Sequence, residues 1–203
     1  AVADSSLNHE HIRYSVKTNI MTLMNALSIM NDLCIPRIIF SSSVWVYSLC
    51  EDTDVCEESK LILNQCDHMY TLSKAYCENL IENYGKVRGL DYTILRYGIA
   101  YGPGCSPEMV ISKFITNAIK GEPLVITGNG NIYRNFMFVT DHARANRMAL
   151  SEGAKNQIIN LEGPEKITIQ AVAERVVELH GADVDIHNKD ARMGDYKGKN
   201  VSN

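Results

Sequence analysis

Tyr70 and Lys74 are the residues whose types and spacing most directly suggest chemistry in this sequence. They stand four positions apart in "DHMYTLSKAYCE", a segment with helical periodicity, so the ammonium lies one turn from the phenol. A positive charge there favours the phenolate, and such a phenol can take a proton from an alcohol as hydride leaves the alcohol's carbon. The alternative is an incidental pair on a solvated helix, because a single Y-x-x-x-K is a weak motif in a chain with 10 tyrosines.

A helical projection at about 100° per residue places this pair on neither the apolar nor the polar face of the helix. Tyr70 and Lys74 share a flank with Cys77 and Ile81, so the ammonium is directed toward apolar neighbours. It must therefore reach past them to solvent or serve an electrostatic purpose. The predicted apolar stripe consists of Met69, Leu72, Tyr76 and Leu80. The predicted polar face consists of Thr71, Glu78, Asn79 and Glu82.

The segment "FSSSVWVY" places three serines, Ser41 to Ser43, at the end of a short apolar strand. Open α/β sheets bind ligands at the carboxyl ends of their strands, so a serine here can hydrogen-bond a substrate hydroxyl beside Tyr70. Serines also end strands without any further function. The serine run, the Y-x-x-x-K pair and the later "LRYGIAYGPG" are more informative together than any one of them alone.

The order of elements predicts an α/β protein with a parallel sheet. A helix at about 11 to 33, the strand that ends in the serines, the helix that carries Tyr70 and a strand at about 91 to 97 follow one another, with a polar loop at about 48 to 67. This βαβ order implies parallel strands.

Shorter elements after "YGPG" predict a smaller lobe. They are a helix near 107 to 120, strands "PLVIT" and "NFMFV", a helix from about 141, a strand "NQIINLE", a helix that begins after Thr168, and a strand "DVDIH". The helix after Thr168 is predicted to direct four apolar side chains inward: Ala171, Val172, Val176 and Leu179.

Composition and charge narrow the function classes. A chain of 203 residues with 45% hydrophobic residues can bury one core, or one core with a small second lobe. The net charge of -4 and the scattered basic residues argue against a nucleic acid partner. There is no apolar run of membrane-spanning length and no signal-peptide pattern, so the chain is expected to be soluble and cytoplasmic, without membrane contact. Six cysteines at irregular spacing predict free thiols and no metal site.

These motifs resemble those of the extended short-chain dehydrogenase/reductase superfamily, in particular its NAD-dependent sugar-nucleotide epimerases and dehydratases of the UDP-glucose 4-epimerase type. The resemblance runs over essentially the whole chain and is most specific in "ITGNGNIYRNFMFVTDHARA". It implies a Rossmann-like, doubly wound parallel sheet, whose N-terminal part is missing here, with a smaller α/β substrate lobe. Residues 1–101 are expected to form the C-terminal part of the NAD-binding domain. Residues 102–203 are expected to form mainly the nucleotide-sugar lobe, with one or more elements returning to the Rossmann sheet.

The resemblance also implies roles for particular residues. Tyr70 transfers the proton, Lys74 lowers its pKa and binds the nicotinamide ribose of NAD, and Ser43 contacts the reacting sugar hydroxyl. Asn19, in "KTNIMTLMNAL", helps to hold the lysine through the structure. Further cofactor contacts are expected from Ser41, Ser42 and Tyr97, and further substrate contacts from Tyr101, Arg134 and Arg192. A guanidinium suits a diphosphate, although Arg134 could also be an ordinary charge on a turn.

The sequence departs from the family pattern at several positions. Ser48 replaces a glycine, and Ile99 replaces an asparagine that normally contacts substrate, which puts the identity of the substrate in doubt. "GNGNIY" is not the cofactor loop, because Tyr133 stands where a third glycine belongs. The glycine-rich loop and the acidic residue that hold the dinucleotide are not found. The 203 residues are therefore expected to be part of a longer enzyme or a fragment without the dinucleotide half.

Two functions of different classes follow. The first is an NAD-dependent nucleotide-sugar epimerase that forms a keto-sugar intermediate, favoured over a dehydratase because Met69 and Thr71, which are not acidic, flank Tyr70. The second is a catalytically silent nucleotide-sugar-binding fragment, which NAD binding would distinguish; a dehydratase or reductase of the same superfamily is a further alternative. The family also implies a homodimer through the helices at 11–33 and 69–88, whose apolar residues exceed what one sheet face needs.

Overall fold

A computed structural model describes residues 8–66, 68–181, 183–190 and 199–202. The chain divides into two compact units. The first unit consists of residues 1–97, 144–161 and 199–203, and the second of residues 98–143 and 162–198. Among the described residues, no helix has both the length and the apolar character needed to cross a membrane.

The order of helices and strands agrees with the predicted α/β pattern. The first elements are α1 (His9–Asp32), β1 (Arg37–Ser43), β2 (Asp54–Val55), α2 (Met69–Arg88) and β3 (Asp91–Tyr97). They are followed by β4 (Ile99–Tyr101), α3 (Val110–Lys120), β5 (Leu124–Thr127), β6 (Tyr133–Phe138), α4 (Val139–Met148), β7 (Gln157–Leu161), β8 (Lys166–Thr168), α5 (Ile169–His180), β9 (Ile186–Lys189) and β10 (Asn200–Val201). The structure differs from the prediction in several short strands: β9 begins at Ile186 rather than at Asp183, the predicted loop at 48 to 67 contains β2, and β4, β8 and β10 were not predicted.

The sheet of the first unit is parallel, as predicted, with strand order β1, β3, β7. Its register places Ser42 beside Arg96 and Ser43 beside Tyr97. Helices α1 and α2 pack on this sheet through a core of Leu23, Leu27, Cys77, Ile81 and Ile94. Burial of each such aliphatic side chain stabilises the fold by about 1.5 to 3 kcal/mol, and this core fixes α2 against the carboxyl end of β1.

The buried face of α2 differs from the prediction. Thr71, Lys74 and Glu78 are buried, whereas Tyr76 of the predicted apolar stripe is 47% exposed. The face that packs on the sheet is centred on the flank shared by Lys74, Cys77 and Ile81. Polar side chains can be buried when they have hydrogen-bond partners, so apolar periodicity did not identify this face.

The second unit has a separate core between helices and short strands. In it β4 pairs with β6 in parallel, β6 with β8 antiparallel, and β5 with β9 in parallel. The core consists of Phe114, Ala118, Leu124, Ile126, Val172 and Ala173. At Gly163 a side chain would overlap the carbonyl oxygen of Phe136, so the close approach to β6 requires glycine there.

Helix α5 begins as predicted, but its predicted inward face is only partly buried. The hydroxyl of Thr168 accepts a hydrogen bond from the backbone N–H of Ala171 at 3.1 Å and caps the helix. Val172 is buried, whereas Leu179 is 70% exposed and lines an open apolar groove of about 740 Å³ with Val176. The apolar stripe of α5 therefore faces this groove over part of its length.

Candidate active site

The carboxyl end of β1 contacts α2 at the residues that carry the predicted chemistry. The hydroxyl of Ser43 interacts with the phenol of Tyr70. The carbonyl oxygen of Ser41 accepts a hydrogen bond from Nζ of Lys74 at 2.6 Å. The structure thus brings the serine run, the phenol and the ammonium together at the end of a parallel strand, where open α/β sheets bind ligands.

Lys74 is buried rather than extended into solvent, with 5% of the residue exposed. Its Nζ lies 4.9 Å from the ring centre of Phe40 and 5.9 Å from that of Tyr70. Burial lowers the pKa of Lys74, and the nearby Cys77 and Glu78 raise it. The ammonium is held by the Ser41 carbonyl and by the two ring faces.

The phenol of Tyr70 lies in an aromatic cluster. The ring centres of Trp45 and His68 are 6.3 Å and 6.2 Å from that of Tyr70, and both contacts are edge-to-face. Burial raises the pKa of Tyr70, and its hydrogen bond with Ser43 opposes the rise. Burial is the largest effect on this pKa, and a lowering by Lys74, whose ammonium donates to Ser41, stays a prediction.

Asn19 in α1 contacts the turn of α2 that carries Tyr70 and Lys74. Its amide nitrogen donates to the hydroxyl of Ser73 at 3.0 Å, and that hydroxyl donates to the carbonyl oxygen of Tyr70 at 2.8 Å. The thiol of Cys77 lies 3.9 Å from the carbonyl oxygen of Asn19. Asn19 thus links α1 to the side chains of Ser73 and Cys77, which lie on either side of Lys74 in the sequence of α2.

The other two predicted cofactor contacts, Ser42 and Tyr97, have partners within the first unit. The hydroxyl of Ser42 donates to the carboxylate of Glu78. The hydroxyl of Tyr97 donates to the side-chain oxygen of Asn146 at 2.6 Å, and Tyr97 lies beside Ser43 in the sheet. Their roles in cofactor binding stay predictions.

Sequence reasoning missed a buried ion pair beside the site. Nη2 of Arg96 lies 2.8 Å from Oε2 of Glu78, and both side chains are almost fully buried. The phenol oxygen of Tyr47 accepts a hydrogen bond from Nη1 of Arg96 at 2.9 Å. One signal could have found this pair: Arg96 interrupts the apolar strand "TILRY", and a charge inside such a strand needs a partner.

The predicted substrate residues Tyr101 and Arg134 belong to the second unit. Tyr101 packs edge-to-face on Phe138 and Phe136, with ring centres 5.3 Å and 6.3 Å apart. Nη1 of Arg134 donates to the carbonyl oxygen of Tyr133 at 2.9 Å. Arg192, the second predicted diphosphate contact, lies outside the described residues.

Glu162 is another residue that sequence reasoning missed. It directly follows β7 and is 9% exposed. Burial raises its pKa to about 7, and the positive charge of Arg134 opposes the rise. A carboxyl group that titrates near neutral pH therefore shares the electrostatic environment of the predicted diphosphate contact.

The donors in the first unit fit the ribose of a dinucleotide. An ammonium carries three donors, and the phenol of Tyr70 can donate or accept beside it. These groups lie at the end of a parallel strand, beside the hydroxyl of Ser43 and the rings of Phe40 and Trp45. The arrangement can bind a hydroxyl-rich ligand and transfer a proton to or from it.

The fold and the site define a Rossmann-like α/β protein with a tyrosine–lysine pair at the strand ends. The chain belongs to the NAD dependent epimerase/dehydratase family, whose sequence profile matches residues 1–161. The resemblance inferred from the motifs is thereby confirmed.

Solved structures and sequence relatives include several enzyme types. The chain is similar to the UDP-glucose 4-epimerase of Thermotoga maritima solved with UDP-glucose, at 26% identity and a TM-score of 0.90, over 100% of this chain and 66% of that one. It is similar to the dTDP-glucose 4,6-dehydratase DesIV of Streptomyces venezuelae solved with NAD, at 25% identity and a TM-score of 0.85, over 100% and 63%. It is 31% identical over 170 residues to a dTDP-4-dehydro-6-deoxy-D-allose reductase of a Streptomyces species, which is 81% of this chain and 52% of that protein. The chain spans about half the length of several curated relatives it matches.

Proposed function

We propose that this protein is an NAD-dependent nucleotide-sugar epimerase of the UDP-glucose 4-epimerase type. The observation that carries the proposal is the grouping of Ser43, Tyr70 and Lys74 at the carboxyl end of β1. Membership of the NAD dependent epimerase/dehydratase family supports it. The similarity to an epimerase solved with UDP-glucose supports the nucleotide-sugar substrate class.

Each residue of the group has a distinct task in this proposal. Tyr70 accepts the proton of the reacting sugar hydroxyl and later returns it. Ser43 interacts with the phenol of Tyr70 and can hydrogen-bond the same sugar hydroxyl. Lys74, buried and one turn away, binds the ribose of the cofactor and compensates the negative charge that develops on Tyr70.

NAD supplies the hydride acceptor when it is bound. Lys74 and Tyr70 are the proposed ribose contacts, and Ser41, Ser42 and Tyr97 line the same strand ends. The aromatic cluster of Trp45, His68 and Tyr70 limits access of water to the phenol on one side.

The surroundings of Tyr70 favour an epimerase over a dehydratase. Dehydration needs an additional acid and base next to the tyrosine. Among the described residues, Trp45 and His68 pack on its ring, and neither is a carboxylic acid. The alternatives are a dehydratase or reductase, activities named among the similar proteins, and a silent nucleotide-sugar-binding fragment.

Arg134 is the proposed diphosphate contact in the second unit, with Tyr101 as a further substrate contact. A guanidinium can bind two phosphate oxygens at once. Replacing Arg134 with Met should raise the KM for the nucleotide sugar far more than it lowers kcat.

A homodimer through α1 and α2 is part of the proposal. Both helices carry large apolar side chains that are exposed in the single chain: Tyr14, Met21, Ile29, Tyr76 and Val87. An interface over these residues would remove them from water. Light scattering at micromolar concentration should give twice the protomer mass, and a protomer mass would contradict this part.

The experiment that tests the function is product identification by NMR. The protein, expressed from its complete coding sequence, is incubated with NAD and UDP-glucose, UDP-N-acetylglucosamine or dTDP-glucose. A 4-epimer from at least one UDP-sugar supports the proposal. A 4-keto-6-deoxy product from dTDP-glucose would establish a dehydratase, and NAD binding with no turnover of any sugar would favour the binding protein.

A further inference from the structure

Three consecutive serines of β1 contact three residues of α2 that follow one another at intervals of one helical turn. Ser43 contacts Tyr70, the Ser41 carbonyl contacts Lys74, and the Ser42 hydroxyl contacts Glu78. Two of these helix residues are the proposed functional pair. Glu78 lies one turn further along, so its contact with Ser42 attaches the strand to the helix beside the reacting groups.

Arg96 fixes the position of the Glu78 carboxylate. Its Nε lies 3.2 Å and 3.3 Å from the two carboxylate oxygens, and its Nη2 lies 2.8 Å from one of them. Arg96 is the register partner of Ser42 in the neighbouring strand β3. Ser42, Glu78 and Arg96 therefore form a closed connection between β1, α2 and β3.

The guanidinium of Arg96 is in turn held from its other side. Its Nη1 donates to the phenol oxygen of Tyr47 at 2.9 Å and to the carbonyl oxygen of Glu57 at 3.2 Å, and the phenol donates to Asn160 at 2.7 Å. A buried ion pair contributes little net stability compared with apolar residues of the same volume, because desolvation offsets the attraction. An ion pair whose groups are all hydrogen-bonded, as here, instead fixes the relative positions of the elements that it connects.

We propose that Glu78 and Arg96 are positioning residues that act through Ser42 to set the register of the serine run against Tyr70 and Lys74. A small displacement of this run would separate Ser43 from the phenol and the Ser41 carbonyl from the ammonium. The catalytic consequence rests on the proposed function, but the geometric claim does not.

Trp45 provides a direct reporter of this geometry, because it is the one tryptophan of the chain. Its backbone N–H donates to the Ser43 hydroxyl at 3.3 Å, and its ring packs edge-to-face on that of Tyr70. Its fluorescence therefore responds to displacement of Ser43 or Tyr70 and needs neither cofactor nor turnover.

The test uses the protein expressed from its complete coding sequence and the variant Ser42→Ala, with Ser42→Thr to restore a hydroxyl and Asn79→Ala as a control on the exposed side of α2. In Ser42→Ala we expect a changed Trp45 emission in the native state. We also expect kcat to fall about 10- to 100-fold, the scale of an ångström-sized misplacement, and by a larger factor than any change in the Kd for NAD. Ser42→Thr should recover most of the native Trp45 emission and most of kcat, and Asn79→Ala should change neither quantity.

A second variant keeps the proposal testable if Ser42→Ala does not fold. Arg96→Lys keeps the charge but loses the planar fork, and it should reproduce the emission change of Ser42→Ala with no further change in the double variant. A lower melting temperature with native emission and kcat both unchanged would reduce the pair to a structural role and overturn the proposal. A weakened Kd for NAD with kcat unchanged would make Ser42 a direct cofactor contact and also overturn it. If no variant, including the parent protein, turns over any sugar, the proposed function fails and the Trp45 signal still decides this inference.

Discussion

The interior of the first unit beside β1 contains an ammonium, a carboxylate and a guanidinium, whereas the core of the second unit consists of aliphatic and aromatic side chains. Lys74, Glu78 and Arg96 are buried next to the proposed reacting groups, each with a partner. The second core is built from Phe114, Leu124, Ile126 and their neighbours. The difference indicates that the first interior is organised to hold polar groups in place, while the second provides stability through apolar packing.

The largest effect is expected from breaking the buried ion pair. Arg96→Met leaves the Glu78 carboxylate without its cation, and we expect the free energy of unfolding to fall by about 3 to 5 kcal/mol. The double variant Glu78→Met with Arg96→Met should recover much of that loss, because both charges are removed. Urea unfolding of the parent protein, the single variant and the double variant measures these free energies. A double variant as unstable as the single one would show that the loss does not come from an unpaired buried charge.

A large effect of different origin is expected in the second unit. Phe114→Ala removes a buried ring, and we expect a loss of about 3 to 5 kcal/mol from lost burial and the cavity that remains. Ile119→Ala, on an exposed position of the same helix, is the control and should cost far less. Equal losses in the two variants would show that Phe114 contributes no more to the core of the second unit than the exposed Ile119.

The contrast between the units also explains what the sequence could and could not predict. The element order and the Thr168 cap were predictable because periodicity and capping are local. The buried face of α2 was not, because Lys74 and Glu78 are satisfied by partners in β1 and β3 that only the sheet register brings near. The raised pKa of Tyr70 was missed for the same reason, since burial depends on Trp45 and His68, which pack around it.

The buried carboxyl of Glu162 is expected to make the stability of the second unit depend on pH. Its pKa is raised from 4.5 to about 7, so the folded state binds the proton more tightly than the unfolded state. The stabilisation is complete below about pH 4.5 and is lost as the pH rises through about 7, by at most about 3 kcal/mol. Glu162→Gln should make the melting temperature less dependent on pH between pH 4.5 and 7.5. Glu178→Gln, which changes an exposed carboxyl group, should not.

The smallest effect is expected from a surface ion pair of the second unit. Nη1 of Arg175 lies 2.6 Å from Oε2 of Glu178, but both side chains are exposed. Arg175→Ala should change the free energy of unfolding by less than about 0.5 kcal/mol. A loss comparable to that of Arg96→Met would mean that burial does not distinguish the two pairs.

The most direct test of the central claim is the turnover of Tyr70→Phe beside that of Tyr76→Phe, which removes an exposed phenol from the same helix. With the protein expressed from its complete coding sequence, NAD and an accepted UDP-sugar, we expect kcat of Tyr70→Phe to fall about 10²- to 10⁴-fold, as for loss of a proton-transfer group. NAD affinity should stay within a few-fold, and Tyr76→Phe should turn over like the parent protein. Retained turnover in Tyr70→Phe would contradict the assignment of this phenol as the proton-transfer group.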